Sequence, residues 1–290
     1  MRAGDFAYLD CPTPVGLAHR GGAAFAPNVG LENTMAAFRQ AVAMGYRYLE
    51  TDVHATRDGR VVAFHDTILD RVTDCSGAIA TLPYDAVREA RIGGTEPIPL
   101  LSDLFEQFPD TRINIDIKAD DALAPTVREV LRHNATDRVC IGSFSERRLR
   151  AARAALGPGV ATAAGQVGTA LLRFTPASLS RMLHTPAPVL QLPALHRLRG
   201  RTVTLVTPGL VQRAHALGKH VHVWFHAWSR EDAVEMHRLL DLGADGIVTD
   251  HIYVLRDVLA ERGAGEHHGG VPPGRRDGLP VPRDRRARDP

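Results

Sequence analysis

Residues 34–53 read TMAAFRQAVAMGYRYLETDV and contain the unit from which the fold can be deduced. The helical pattern Thr34–Met44 is followed at once by a short β-rich run, Tyr46–Val53. A helix that leads directly into a strand is typical of strand–helix–strand units, in which the strands are parallel. If the unit recurs along the chain, it predicts a parallel sheet with helical crossovers.

The unit recurs along most of the chain. The strand-like runs are Val15–His19, Tyr46–Val53, Arg112–Lys118, Val139–Phe144, Val160–Gly165, Val189–Leu192, His220–Phe225 and Gly246–Thr249. The helical patterns between them include Thr34–Met44, Leu123–His133, Glu146–Leu156, Pro208–Leu217 and Arg230–Leu242. About eight repeats in about 250 residues favour a TIM-type (β/α)8 barrel over an open doubly wound sheet. The absence of a GxGxxG motif after the first strand further weakens a dinucleotide-binding fold.

Three segments do not follow the alternation. Residues 1–14 are predicted to form an N-terminal lead-in to a barrel that spans 15–262. A turn-rich stretch at about 60–99, which contains the short strand Val61–Phe64, is predicted to be a small insertion after the second strand. Residues 263–290 are rich in Gly, Pro and Arg and lack large apolar residues, so we expect a disordered tail.

Composition and charge exclude several functional classes. The 290 residues are 44% hydrophobic and 23% charged, with a net charge of +2, which argues against nucleic-acid binding. There is no apolar run of the roughly 20 residues that a membrane helix needs, and no signal peptide is expected. Cys11, Cys75 and Cys140 lie too far apart for a disulfide framework, so we expect a cytoplasmic protein. The tail arginines allow peripheral membrane contact, but the aspartates among them make us disfavour it.

Polar residues cluster at the predicted carboxyl ends of the strands, where a barrel assembles its active site. These residues are His19, Arg20, Glu50, Asp52, Asp116, Lys118, Gln191, Trp224, Thr249 and Asp250. Glu50 and Asp52 are two residues apart on one strand, so both carboxylates project from the same face. Together with Asp116 they are expected to repel one another unless positive charge lies between them.

Two sources of that positive charge are compatible with the pattern. Lys118 supplies one charge, and a hard divalent cation with oxygen ligands supplies the rest, which favours Mg or Ca over zinc. The alternative is a layer of salt bridges from Arg47, Arg57 or Lys118. We favour the cation, because inward carboxylates at a barrel mouth are costly without one.

His19 and His65 are the candidate proton-transfer groups. His19 is followed by Arg20, whose guanidinium can grip a phosphate, and His65 comes just after the short strand of the insertion. His54 is a weaker candidate on the strand that carries Asp52. The combination of two histidines, an arginine and carboxylates indicates phosphate chemistry with acid–base catalysis.

These motifs resemble those of the glycerophosphodiester phosphodiesterase family. The matching stretches are AHRGG (18–22), LENTMAAF (31–38), YLETDVHATRDGRVVAFHDTILDRVT (48–73), IPLLSDLF (98–105), INIDIK (113–118), IGSF (141–144), VLQLP (189–193), HVHVW (220–224) and GADGIVTD (243–250). The resemblance implies a βα barrel that hydrolyses a small-molecule glycerophosphodiester to glycerol 3-phosphate and an alcohol.

The resemblance also implies a role for individual residues. His19 and His65 correspond to the acid–base pair, Arg20 to the phosphate contact and Lys118 to an electrostatic stabiliser. The implied metal ligands are Glu50, Asp52 and Asp116, and the implied substrate contacts beside Arg20 are Trp224, Gln191 and Phe25.

The sequence departs from the family pattern at three places: Asp116, the pair Phe225–His226 after the tryptophan, and His251 in place of a proline. Asp116 stands where the third acidic ligand is usually Glu, and Phe225, His226, Trp228 and His251 change the side of the pocket that meets the alcohol. Two alternatives stay open: a lysophospholipase D, for which Phe25 and the insertion would form an apolar ramp, and an inactive barrel that binds phosphorylated ligands. The motifs also leave open which alcohol leaves, whether water or the glycerol hydroxyl attacks, and the oligomeric state.

Overall fold

The computed structural model describes residues 1–175, 185–198 and 200–264. From residue 265 onward, the predicted disordered tail lies outside the described residues. Among the described helices, none is both long and apolar enough to cross a membrane.

Eight parallel strands form the barrel, and we number them in chain order. They are β1 Val15–His19, β2 Tyr48–Ala55, β3 Arg112–Ile117, β4 Val139–Gly142, β5 Ala161–Thr162, β6 Val189–Pro193, β7 His220–Trp224 and β8 Gly246–Thr249. Consecutive strands pair from β1 to β5 and from β6 to β8, and β8 returns to pair with β1. Between β5 and β6 the ring is closed only by a single bridge from Ala163 to Val189. The predicted (β/α)8 barrel is therefore confirmed, and all eight predicted strands are present.

Eight helices surround the strands in the described part of the chain. They are α1 Met35–Ala43, α2 Leu101–Gln107, α3 Leu123–Arg132, α4 Glu146–Leu156, α5 Gln166–Phe174, α6 Pro208–Ala216, α7 Ala233–Asp241 and α8 Ile252–Glu261. At four of the helix N-termini a polar side chain accepts a hydrogen bond from a backbone N–H of the first turn. These caps are Thr34, Ser145, Thr207 and Asp232.

The insertion after β2 builds a small unit of its own. The strand Val61–Ala63 pairs antiparallel with β2, and a helical turn, Tyr84–Val87, and a two-stranded ribbon follow it (Arg91–Ile92 and Glu96–Pro97). Its apolar side chains form a core separate from the main one: Val62, Phe64, Leu69, Ile79, Val87, Ala90, Ile92, Ile98 and Leu100. The insertion is thus a packed element that can hold its side chains over the barrel in fixed positions.

The N-terminal lead-in closes the amino end of the barrel. Its side chains Ala3, Phe6, Tyr8 and Leu9 are buried against inward residues of the strands, among them Leu17 and Tyr48. The Tyr48 hydroxyl donates a hydrogen bond of 2.7 Å to the carbonyl of Tyr8. We call these four residues the floor. They leave the opposite, carboxyl end as the open mouth of the barrel.

Two elements near the mouth were not predicted from the sequence. One is α5, which follows β5. The other, which we call the rim hairpin, consists of the antiparallel strands Leu195–Leu198 and Arg201–Thr204, and it follows β6.

Candidate active site

The strand register brings the predicted residues to one level of the barrel. His19 at the end of β1 is paired with Glu50 of β2, and Asp52 of β2 is paired with Asp116 of β3. Paired residues in neighbouring parallel strands point to the same side of the sheet. As predicted from their spacing, Glu50 and Asp52 lie on the same face, and both are buried.

The turn after β1 needs its two glycines. Gly21 and Gly22 each have φ of 86°, and Arg20 before them has φ of 49°, in the left-handed region. A Cβ on Gly21 would come within 2.7 Å of Ala37 in α1, and one on Gly22 within 2.6 Å of Ile252 in α8. The glycines therefore let two helices close against the turn that carries His19 and Arg20.

Asp52 is the centre of the charge network. Its carboxylate lies 2.7 Å from Lys118 Nζ and 3.0 Å from Arg20 Nε, and it accepts a hydrogen bond of 3.2 Å from Asn33 Nδ2. Burial opposes ionisation, but Lys118 and Arg20 outweigh it and hold the pKa of Asp52 well below its usual range. Asp52 is therefore a permanent anion that fixes both cations in place.

Glu50 is less well compensated. It accepts a 3.2 Å hydrogen bond from the backbone N–H of Arg20, and its Oε2 lies 3.8 Å from His19 Nε2. Burial, together with the charge of Asp52, raises the pKa of Glu50 to about 7. This carboxylate thus ionises only partly at neutral pH unless more positive charge is supplied.

His19 is held between two carboxylates. Its Nδ1 donates a hydrogen bond of 2.9 Å to Asp250, at the carboxyl end of β8, and its Nε2 faces Glu50. Burial favours the neutral ring, but Glu50 and the hydrogen bond to Asp250 raise the pKa of His19 to about 9. As the site stands, His19 carries a proton at neutral pH.

His65 belongs to a second network that starts in the insertion. Its Nδ1 lies 2.6 Å from Oδ1 of Asp66, and Arg71 binds both Asp66 and Glu32. Glu32 accepts a further hydrogen bond of 3.1 Å from Arg20. The insertion is thereby tied through ion pairs to the turn after β1, and the predicted return of His65 to the mouth agrees with this arrangement.

Asp116 and Lys118 lie beside Asp52 on β3 and just beyond it. Lys118 Nζ is 2.7 Å from Asp116 Oδ2, so the ammonium group bridges Asp52 and Asp116. The other carboxylate oxygen of Asp116 is buried without a hydrogen-bond partner. Part of the alternative salt-bridge layer is thus present, through Lys118 and Arg20 rather than through Arg47 or Arg57.

The donors partly fit a hard divalent cation. As the described side chains stand, no group of three or more His, Cys, Asp or Glu is arranged to hold a metal ion. The unpartnered oxygen of Asp116 and the raised pKa of Glu50 nevertheless mark two carboxylates that lack positive charge. All-oxygen donors of this kind suit Mg or Ca.

Trp224 stands at the mouth in a row of rings. It makes an edge contact with His226 at 4.5 Å between centroids, and His226 stacks on Trp228 at 5.0 Å. Phe144, which follows β4, meets Trp224 edge-on at 6.4 Å. Phe225, by contrast, is buried in the core. The row extends outward from the mouth towards the rim hairpin.

The other two predicted substrate contacts have protein partners. Gln191 Nε2 donates a hydrogen bond of 2.8 Å to Asn114 Oδ1 across the barrel interior. Phe25 packs against the core, and its ring lies 6.3 Å from that of Tyr253 in α8. Their contact with a substrate stays a prediction, and the structure does not link Phe25 to the charged network.

Several residues of the site were not assigned a role from the sequence. Asp250 orients His19, Asp66 orients His65, and Asn33 joins Asp52 to Thr51 through its amide. The sequence offered a signal for two of them, because Asp250 ends a strand and Asp66 directly follows His65. For Asn33, which has φ of 58°, the sequence pattern indicates only the start of a helix.

Comparison with known proteins identifies the same family. Residues 19–254 match the model of the glycerophosphoryl diester phosphodiesterase family. A probable glycerophosphodiester phosphodiesterase 2 of Mycobacterium tuberculosis is 44% identical over 86% of this chain and 92% of its own length. The human lysophospholipase D GDPD1 is 32% identical over 84% of this chain and 85% of its own length.

Solved structures share the fold. A putative glycerophosphoryl diester phosphodiesterase from Silicibacter pomeroyi aligns with a TM-score of 0.71 at 23% identity, covering 89% of this chain and 98% of that one. A phosphodiesterase of Oleispira antarctica, solved with the product sn-glycerol-3-phosphate, aligns with a TM-score of 0.69 at 22% identity, covering 86% and 97%. At this identity the likeness establishes the barrel.

Proposed function

The chain belongs to the glycerophosphoryl diester phosphodiesterase family, and from this premise we propose that it hydrolyses glycerophosphodiesters to glycerol 3-phosphate and an alcohol. The observation that carries the proposal is the convergence of His19, Arg20, Glu50, Asp52 and Lys118 at the open end of the barrel. Two histidines with carboxylate partners flank cations that suit a phosphodiester anion.

We assign the general acid to His19. Its raised pKa keeps it protonated at neutral pH, and Asp250 holds Nδ1, which leaves the Nε2 proton for transfer. An alkoxide leaving group needs such a proton as the P–O bond breaks. Asp250 acts as a positioning residue, since it sets the orientation of the ring.

We assign the general base to His65. The Asp66 carboxylate can only accept a hydrogen bond, so we place the His65 proton on Nδ1 and the lone pair on Nε2. In that tautomer Nε2 takes a proton from the attacking hydroxyl. His54 supports this geometry, because its Nε2 lies 3.1 Å from the His65 carbonyl and donates to it.

Arg20 and Lys118 are proposed to stabilise the negative charge that develops on the phosphoryl oxygens. Both cations are already fixed by Asp52, so they need little reorganisation during the reaction. Arg20 is also bound by Glu32, which sets the plane of its guanidinium.

A divalent cation, Mg or Ca, is part of the proposal. Glu50, Asp52 and Asp116 would hold it, and when bound it would add positive charge at the phosphoryl group. The support is the unpartnered Asp116 oxygen and the raised pKa of Glu50.

A lysophospholipase D activity is the second candidate. It is favoured by the identity to the human lysophospholipase D GDPD1 and by the exposed rings of Phe144 and Trp228 beside the mouth. The apolar ramp of Phe25 and the insertion has no such support, because Phe25 packs on α8.

The test is a substrate panel on chelator-stripped protein with single cations restored. We expect glycerol 3-phosphate from glycerophosphocholine or glycerophosphoglycerol with Mg or Ca, and no turnover in excess chelator. Lysophosphatidylcholine in the same assay separates the two enzymes, because its hydrolysis by a lysophospholipase D yields lysophosphatidic acid.

The cation is tested separately by calorimetric titration of the stripped protein. Mg or Ca should bind, and Glu50→Gln should weaken binding. Full activity in excess chelator would show that the reaction needs no divalent cation. A folded protein that hydrolyses none of these substrates would favour the remaining alternative, an inactive barrel that binds phosphorylated ligands.

A further inference from the structure

Helix α5 exposes its apolar face to solvent. Val167, Leu171 and Phe174 are 60%, 48% and 65% exposed, whereas Leu172 on the other side of the helix is fully buried. The three exposed residues follow one another at spacings of four and three, so they form one stripe. A surface helix usually presents polar residues on this side, and an exposed apolar stripe is typical of an interaction surface.

The C-terminal end of α5 lies near the mouth of the barrel. Its N-terminus follows the carboxyl end of β5, and Arg213 Nε donates a hydrogen bond of 2.8 Å to the carbonyl of Leu172 near its C-terminus. The Arg213 guanidinium in turn lies beside Gly209, in the first turn of α6. Because α6 runs from the mouth towards the amino end of β7, this first turn is at the mouth. The C-terminal part of α5, with Leu171 and Phe174, therefore lies at the rim.

The rim hairpin continues this surface with basic residues. Its Arg197 and Arg201 are exposed, and Arg173 of α5 reaches the hairpin through a 3.5 Å hydrogen bond to the Thr204 carbonyl. Arg197 also lies 4.5 Å above the ring of Trp228, which is 40% exposed. Of the nearby acids, Asp232 is paired with Arg230 and Glu235 with Arg238, whereas Glu146 accepts a hydrogen bond of 3.2 Å from the Val167 N–H.

We define the rim surface as Val167, Leu171, Phe174, Arg197, Arg201 and Trp228, and we propose that it docks the protein onto a membrane that contains anionic lipids. Apolar side chains in a row enter the acyl boundary, and flanking arginines bind anionic headgroups. Tryptophan is favoured at the same depth because its ring is amphipathic. Docking is a binding property, so it does not depend on the proposed function.

Charge complementarity is what favours a membrane over other occupants. A second copy of the chain would bring the same arginines to the interface, where like charges repel each other. The other occupant that the test must distinguish from a membrane is the segment 176–184, which follows α5 directly in the chain.

The experiment is co-sedimentation of the full chain with vesicles of equal parts phosphatidylglycerol and phosphatidylcholine. We expect binding to these vesicles, weak binding to pure phosphatidylcholine, and loss of binding as salt screens the charges. The double variant Leu171→Ser/Phe174→Ser should bind about tenfold more weakly or worse, since each side chain loses its apolar burial. Arg197→Glu and Arg201→Glu should each weaken binding about fivefold or more.

The controls make the same kinds of change away from the mouth: Leu131→Ser, which is 48% exposed in the last turn of α3, and Arg128→Glu on the same helix. Both should bind as the original chain does, and so should a chain that ends at residue 264. Turnover of a soluble substrate should be unchanged in the α5 variant, which separates docking from catalysis.

Four results would overturn the proposal. The full chain does not bind the vesicles, or the α5 variant binds them as well as the full chain does. Alternatively, binding is lost when the tail is removed, or it is equally strong without anionic lipid. If the α5 variant instead dissociates a dimer, or loses thermal stability while it still binds vesicles, the stripe covers a second copy or residues 176–184.

Discussion

The two histidines of the site differ in what surrounds them. His19 lies between Glu50 and Asp250, with 24% of its side chain exposed, whereas His65 is held by one carboxylate and is 35% exposed. The two carboxylates around His19 stabilise its protonated ring, whereas the single carboxylate beside His65 fixes the orientation of that ring. This difference is the reason why we assign the two rings different roles in the proposed reaction.

His19→Ala and His65→Ala should each lower kcat by about two orders of magnitude or more, because each removes one proton-transfer step. The double variant should be little worse than the poorer single variant, since the two act as a unit. Steady-state kinetics with circular dichroism as the folding check measure this.

His237→Ala, on the exposed side of α7, is the matched control and should keep full activity. Retention of near-original turnover by either single variant would remove that histidine from the mechanism.

His222 is a buried group with no role in the proposed reaction. It is fully buried in β7, and neither ring nitrogen has a partner among the described residues. Burial, with a smaller effect of His220, lowers the pKa of His222 to about 3. Unfolding lets this ring take up a proton at any pH between that value and its ordinary one.

The contribution of His222 to stability should therefore fall as the pH is lowered through 6.5, because the unfolded state then binds the additional proton. Between pH 7 and pH 5 the contribution of His222 is a loss of about 2 kcal/mol. His222→Leu should reduce the pH dependence of the free energy of unfolding by about that amount, as measured by urea titration at the two pH values. An identical pH dependence in the two proteins would show that the ring finds a partner.

At the residue scale, the sequence predicted which side chains gather but not how they pair. The spacing of Glu50 and Asp52 is enough to place them on one face, because alternation along a strand is fixed by geometry. The contact of His19 with Asp250 joins the first strand to the last, and no local pattern determines it. Contacts between residues so far apart in the sequence depend on how the strands of the barrel close on one another.

At the scale of elements, all eight barrel strands were predictable because their short apolar runs alternate with helical patterns along the chain. Two elements were not. The sequence of α5 contains Gly168 and Thr169, which are poor helix formers, and its apolar residues face solvent, so its pattern gives no core-facing stripe. The rim hairpin contains Arg197 and Arg201 and lacks the alternation of a strand with one buried side.

The start of α1 offers a test of one element. Thr34 accepts a hydrogen bond of 3.1 Å from the Ala37 N–H and donates one of 2.8 Å to the Leu31 carbonyl. Thr34→Ala should lower the free energy of unfolding by about 1 kcal/mol, and Thr34→Ser should restore most of it. Chemical denaturation measures both. Equal stability of all three proteins would mean that the cap contributes nothing.

At the scale of the whole molecule, the two ends of the barrel have different tasks. The charged network lies at the mouth, and the floor lies at the amino end, where a barrel is built for stability. Phe6 is 2% exposed and packs among the inward residues of the strands.

Phe6→Ala should therefore lower the free energy of unfolding by about 3–5 kcal/mol, the usual range for a buried aromatic side chain. The kcat of the protein that stays folded should not change. Thermal unfolding and kinetics at a low temperature measure the two effects, and a fall in kcat without a loss of stability would contradict this division of tasks.

The closure of the ring has a consequence for synthesis. Val15 of β1 pairs with Gly246 of β8, so the first strand of the barrel obtains its second neighbour only when the last strand exists. A ribosome that adds 5–20 residues per second needs roughly 10–50 s to cover that distance. During this interval one edge of β1 is open, and Phe6 and Tyr8 lack part of the pocket in which they are finally buried. A nascent chain of this protein thus exposes its most apolar N-terminal side chains for longest, in the period when chaperones meet it.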